Sequence, residues 1–132
     1  VQLHGRVEEL DWAKFLPGVF VIRVFHMTPD EEKNAPTLHD ALRPGYHHII
    51  LLDTATQGGQ DGGSGVSFNW SHVSNIPVPF LIAGGLTPDN VQEALTQSLA
   101  AGVDTSSGVE TEGQKDTAKI TAYVENARRV LS

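Results

Sequence analysis

The sequence predicts an α/β fold built on a parallel sheet, and three observations lead there. Five apolar, β-rich segments recur along the 132 residues: 1–3, 19–25, 48–52, 80–83 and 102–105. Most are continuous apolar runs rather than alternations, as in strands buried on both faces. Each is followed by a polar or glycine-rich turn and then a helical pattern. A β-α order repeated in this way implies parallel strands joined by right-handed crossovers.

The elements can be justified in order. The first strand, Val1-Gln2-Leu3, leads to a weak helical pattern over residues 7–15, closed by Pro17-Gly18. The second strand precedes a helix expected over 37–42, closed by Pro44-Gly45. The third strand, ending Ile49-Ile50-Leu51-Leu52-Asp53, opens into an irregular stretch, 54–65, rich in glycine. Long loops of that kind are functional or disordered. A short helix is expected near 69–73. After the fourth strand, Thr87 is expected to cap a helix with Pro88 in its first position and Asp89 beside its positive end. Val91, Ala94, Leu95 and Leu99 then share a face. After the fifth strand, Asp116 is expected to cap the last helix. There Ile120, Tyr123, Val124, Ala127 and Leu131 form a stripe, with Arg128 and Arg129 in the last turn. No linker divides the chain, and a single domain is expected.

Composition narrows the function. Acidic residues outnumber basic ones 16 to 9, which disfavours a broad nucleic-acid-binding surface. No run approaches the ~18 apolar residues of a membrane span, and no secretory leader is expected. Cysteine is absent, which excludes disulfides, thiolate metal sites and thiol nucleophiles, and fits a reducing, cytoplasmic setting. The six histidines show no metal-ligand spacing. His47 and His48 are adjacent and so face opposite sides of a strand. His26, His39 and His72 lack a spaced partner. All of these are expected at the surface, and no metal or cofactor is expected. Asn69-Trp70-Ser71 matches a glycosylation pattern only by coincidence.

In a parallel α/β sheet, function gathers at the carboxyl ends of the strands. Asp53 ends an apolar strand, where partial desolvation raises a carboxyl pKa and suits a general acid; the competing reading is an Asp that caps its own loop. Gly84 and Gly85 join a strand to a helix, and Ser107 and Gly108 follow the next strand. Two such turns side by side provide close backbone approach and free N–H groups for a phosphate, although each could simply be a tight turn. Gly62-Gly63-Ser64-Gly65 fits neither a Walker loop nor a dinucleotide fingerprint. It either wraps a ligand or is merely flexible. His4 ends the first strand at the same face, where ligand contact and a hydrogen bond to a loop are equally open to it.

Six motifs occur in order. They are Val1-Gln2-Leu3-His4-Gly5, Leu51-Leu52-Asp53, Gly62-Gly63-Ser64-Gly65 with Phe68-Asn69-Trp70, the run from Leu81 through Gly84-Gly85 to Val91, the run from Gly102 through Asp104 and Ser107-Gly108 to Glu110, and Gly113-Gln114-Lys115-Asp116. Together they resemble phosphoribosylanthranilate isomerase, a (β/α)₈-barrel (TIM-barrel) family of tryptophan biosynthesis. The likeness runs from the first residue to the last helix, and its flavour is similar to the fungal enzymes, where this domain often ends a multifunctional polypeptide.

The resemblance implies an Amadori rearrangement of N-(5′-phosphoribosyl)anthranilate to its 1-deoxyribulose 5-phosphate derivative. It assigns the general acid to Asp53. It places phosphate against Gly84, Gly85, Ser107 and Gly108, with Gly63 and Gly65 alongside, and sets Asp104 toward the anthranilate, with His4 in the same substrate-binding set. The sequence departs from the family in one respect. The family's general base is a Cys on the barrel's first strand, and an Arg of its second βα loop faces the anthranilate carboxylate; neither is found here. The resemblance therefore implies that residues 1–132 are a C-terminal portion, strands four to eight of a partial barrel of about five βα units. Such a portion would turn over no substrate alone. Its bare sheet edges would pair with themselves, with the missing N-terminal half, or with the rest of a multifunctional chain. Two alternatives compete: a non-enzymatic, flavodoxin-like module binding a phosphate ligand, and another phosphate-binding barrel enzyme.

Overall fold

The computed structural model describes residues 1–4, 17–45, 47–55 and 68–132. Five strands, β1 (Gln2–Leu3), β2 (Ile22–His26), β3 (Ile49–Asp53), β4 (Phe80–Ala83) and β5 (Gly102–Val103), form one parallel sheet. Their spatial order is their chain order, β1-β2-β3-β4-β5. The expected helix over 7–15, and Gly63 and Gly65 in the 54–65 loop, lie outside the described residues.

Strand order decides between architectures. A flavodoxin-like sheet is doubly wound, with order 2-1-3-4-5 and helices on both faces. Here α1 (Glu31–Ala41), α2 (Val91–Ser98) and α3 (Thr117–Leu131) all pack on one face. Phe25, Ile50, Leu52, Phe80 and Ile82 share one apolar core with Ala41 of α1, Leu95 of α2 and Tyr123 of α3. The opposite face carries the alternate residues: Val24, Leu51 and Ala83, with Ile22 and Leu81 beside them. Sequential order with the three described α-helices on one side is the arc of a (β/α) barrel, so the doubly wound alternative fails.

Among the buried residues of these strands, one is charged. Arg23 on β2 is 5% exposed, with its guanidinium 4.6 Å above the Phe25 ring. Burial pulls its pKa down, and Asp40 partly offsets this.

Three helix expectations need correction. α1 begins at Glu31 rather than near Thr37, because Asp30 caps it by accepting from the Glu32 N–H at 3.1 Å. Pro36 is tolerated inside this helix. Its start is also tied down by buried Asn34, whose amide accepts from Thr28 N and donates to Thr28 O. In the second case, Thr87 opens a turn and the α-helix proper begins only at Val91. Leu99 ends that helix in the left-handed region (φ 60) and is 69% exposed, not on the buried face. Buried Ser98 takes the inner position, its Oγ accepting from Ala100 N–H. Lastly, only Tyr123 and Ala127 of the α3 stripe are buried; Ile120, Val124 and Leu131 stay exposed. α3 follows the last strand, and among the described residues no further helix covers its outer flank. The Asp116 cap is found, its Oδ1 accepting from Ala118 and Lys119.

The short turn near 69–73 is a 3₁₀ helix, Trp70–Val73. Asn69 caps it through Oδ1, so that side chain is committed within the fold. A small antiparallel hairpin, β6 (Glu110–Thr111) and β7 (Gln114–Lys115), precedes α3.

Candidate active site

Alternation along the strands sends Asp53 to the concave face at the carboxyl end of β3. Its Oδ1 accepts from the Ala55 N–H at 3.0 Å, and its side chain is 25% exposed. The loop-capping reading of Asp53 therefore holds, and a single oxygen does the capping. The other, Oδ2, lies 3.4 Å from His26 Nδ1 at the end of the neighbouring β2. The ring of His26 in turn lies 5.7 Å from that of His4, past the end of β1.

His26 lies at the surface, as expected. It is solvent-exposed, with 65% of its side chain accessible, yet it stands on the site rim against Asp53 rather than on an unrelated surface. In-register pairing of His26 with Asp53 across β2 and β3 is what brings them together. A sequence offers no such distance, although both residues ending their apolar runs was a usable signal. Two of the other histidines, His48 and His72, make structural contacts. His48 Nδ1 accepts from Val21 N–H at 3.0 Å and its ring stacks on Phe20. His47 is half-buried, which lowers its pKa together with nearby Arg23. His72 sits 3.5 Å from Glu31 and edge-on to Phe68.

The rim continues from Asp53 to the glycines. Gly84 has φ +98, and a Cβ there would overlap the Ala55 backbone nitrogen and come within 2.6 Å of Asp53 Oδ1. Only glycine lets the β4 turn lie against the Asp53 carboxylate. Gly85 also has positive φ, +67. Thr54 fastens the β3 end to this turn, its Oγ1 donating to Ala83 O at 2.9 Å.

The second turn is packed directly on the first. A Cβ on Gly108 would run into the Leu86 carbonyl, and Thr105 Oγ1 donates to that same oxygen at 2.7 Å. Asn90 closes the first turn by donating to Gly85 O and accepting from Thr87 N. Among the described residues, no backbone acceptor is found for the Gly84 and Gly85 N–H groups, which lie outside any helix or strand. Two abutting glycine turns allow close backbone approach, a geometry by which a fold can hold an anion without a lysine cradle. Lys115 of β7 braces the second turn, its Nζ donating to Ser106 O (2.8 Å), Ser106 Oγ (3.1 Å) and Glu110 Oε1 (2.6 Å). Sequence reading passed over Lys115 as a site residue.

Asp104 follows β5, its N–H donating to Ile82 O at 2.9 Å. It is exposed at the same end of the sheet, and among the described residues it makes no side-chain contact with His4, His26 or Asp53. The structure thus gathers His4, Asp53, Gly84, Gly85, Ser107 and Gly108 on one rim, with Asp104 at its end.

The Asp53 carboxyl thus lies beside two abutting glycine turns on the carboxyl rim of a parallel (β/α) arc. The family model for N-(5′phosphoribosyl)anthranilate (PRA) isomerase matches residues 1–126. The chain belongs to that family.

Relatives and structures agree. The chain is 44% identical to the multifunctional tryptophan biosynthesis protein of Schizosaccharomyces pombe, covering 94% of this chain and 15% of that protein. It is 40% identical to the N-(5′-phosphoribosyl)anthranilate isomerase of Wickerhamomyces anomalus, covering 96% of this chain and 51% of that protein. The phosphoribosyl anthranilate isomerase of Thermotoga maritima superposes with a TM-score of 0.73 at 33% identity, over 98% of this chain and 61% of the other. A phosphoribosyl anthranilate isomerase in complex with reduced 1-(o-carboxyphenylamino)-1-deoxyribulose 5-phosphate superposes with a TM-score of 0.70 at 30% identity, over 98% and 59%. The chain thus spans about half the length of the curated W. anomalus isomerase and a small part of the multifunctional protein. Among the described residues no helix is long and apolar enough to cross a membrane.

Proposed function

We propose that residues 1–132 carry the acid and phosphate portion of a phosphoribosylanthranilate isomerase site, corresponding to strands four to eight of the barrel. The carrying observation is the Asp53 carboxyl, fixed by Ala55 N–H and set against the Gly84 turn, itself packed on the Gly108 turn. The substrate is N-(5′-phosphoribosyl)anthranilate. Its phosphate meets the backbone of Gly84, Gly85, Ser107 and Gly108, while His4 and Asp104 line the sugar and anthranilate side.

Asp53 gives its proton to the ribose ring oxygen as the C1–O bond breaks. The nitrogen lone pair forms a C1=N Schiff base, and Asp53 is left as carboxylate. A base then takes the C2 proton, the electrons move into a C1–C2 enamine, and tautomerisation leaves the 2-ketone. That base belongs to a Cys-bearing strand outside these residues. The remainder of the barrel, within a longer or multifunctional chain, is therefore the proposed partner; open-edge self-association is the alternative when the segment stands alone. A cytoplasmic setting, expected from the lack of cysteine, is part of the same proposal.

The test is Asp53→Asn in a chain of the relatives' full length carrying this sequence. Loss of a general acid lowers kcat by about 10²–10⁴-fold. Turnover equal to the parent chain would remove Asp53 from the acid role.

A further inference from the structure

Asp53 starts each cycle protonated and ends its first step as a carboxylate, so something must hold that anion and return its proton. The rim offers a group for both tasks. His26 Nδ1 is 3.4 Å from Asp53 Oδ2, the oxygen left free by the Ala55 cap. Most of the His26 side chain is open to solvent, whereas that of Asp53 is largely covered. His26 thus stands between the acid and bulk water. Among the described residues, the titratable groups beside it are Asp53 on β3 and His4 past β1, the latter with ring centroids 5.7 Å apart. Register fixes the pair, since His26 and Asp53 are in-register partners across two hydrogen-bonded strands.

We propose that His26 is a positioning residue that holds Asp53 Oδ2 and resupplies its proton from solvent. This rests on Asp53 as the acid of the isomerisation. After Asp53 protonates the ring oxygen, the His26 imidazolium donates its Nδ1 proton to Oδ2. That restores the carboxylic acid and leaves a neutral ring with its proton on Nε2. The exposed ring then recovers a proton from water. One proton moves at each step, and no other co-reactant is needed.

The experiment compares His26→Ala, His26→Gln and Asp53→Asn in the full-length isomerase carrying this sequence, with N-(5′-phosphoribosyl)anthranilate as substrate across about pH 5–9, the range in which histidine titrates. The side chain of His26 is mostly exposed, so its replacement leaves the core untouched, and unchanged circular dichroism checks this. The expected result for His26→Ala is a kcat lowered by about 10- to 100-fold with KM nearly unchanged, partly restored by added imidazole. Glutamine can donate a hydrogen bond to Oδ2 but has no acidic proton to pass on, so His26→Gln keeps KM and stays slow. Wild-type kcat at every pH in His26→Ala, or the wild-type rate and profile in His26→Gln, overturns the relay. If Asp53→Asn is inactive in the same series, only the His26 role has failed; if Asp53→Asn is active, the acid assignment has failed and the relay with it.

Discussion

At the scale of single residues, the Asp53 carboxyl has three fixed neighbours: Ala55 N–H on one oxygen, His26 on the other, and the Gly84 backbone behind it. Asp53 was legible because a carboxylate closing an apolar run is exceptional. His26 was not, because its partner lies 27 residues on and is reached only through strand register. Gly84 was legible as a turn, but its reason was not: a side chain there would displace the Asp53 carboxyl. Gly84→Ala therefore puts an L residue at φ +98 and pushes on both Ala55 and Asp53. The expected outcome is a stability loss of about 1–3 kcal/mol and a fall in kcat/KM of about 100-fold in the full-length enzyme, since a shift of ~1 Å at an acid costs about that much. Denaturant midpoints and turnover check the two together; a variant unchanged in both contradicts the packing.

At the scale of elements, boundaries set by local capping were readable in part. Asp116 starts α3 as expected, because a cap, its hydrogen bonds and the stripe all agree. Asp30 starts α1 earlier than the pattern suggests, because Pro36 masks a continuous helix and the buried Asn34–Thr28 bonds leave no periodic signal. Leu99 carries the right periodicity, but the short return to β5 turns it outward at the helix end. The β6–β7 hairpin has no apolar pattern at all, yet it delivers Lys115 to the Ser106 turn. Lys115→Met releases that brace while leaving Asp53 and its neighbours in place. The expected outcome is a KM raised by about threefold to tenfold with kcat nearly unchanged, as an exposed ion pair with companion hydrogen bonds contributes roughly 1 kcal/mol. Steady-state kinetics separate the two parameters, and a lowered kcat at constant KM contradicts a role in phosphate binding.

At the scale of the whole molecule, strand alternation and the parallel sheet were legible because buried parallel strands read as apolar runs. Closure was not: βα alternation alone fits an arc or a doubly wound sheet, and only the order β1-β2-β3-β4-β5 with one-sided helices separates them. The concave face, lined by Ile22, Val24, Leu51, Leu81 and Ala83, is apolar. Among the described residues β1 and β5 each have one strand neighbour. An apolar face and two open edges are what the remaining strands of a barrel would cover. The direct measurement is isomerase turnover by the 132-residue chain, alone and mixed with the first three βα units of a family member. The expected result is no turnover alone, turnover in the mixture, and its loss by about 10²-fold or more when the chain carries Asp53→Asn. Turnover by the chain alone, or a mixture with the Asp53→Asn chain as active as the parent mixture, would contradict the assignment of one acid-and-phosphate portion completed by a base from elsewhere.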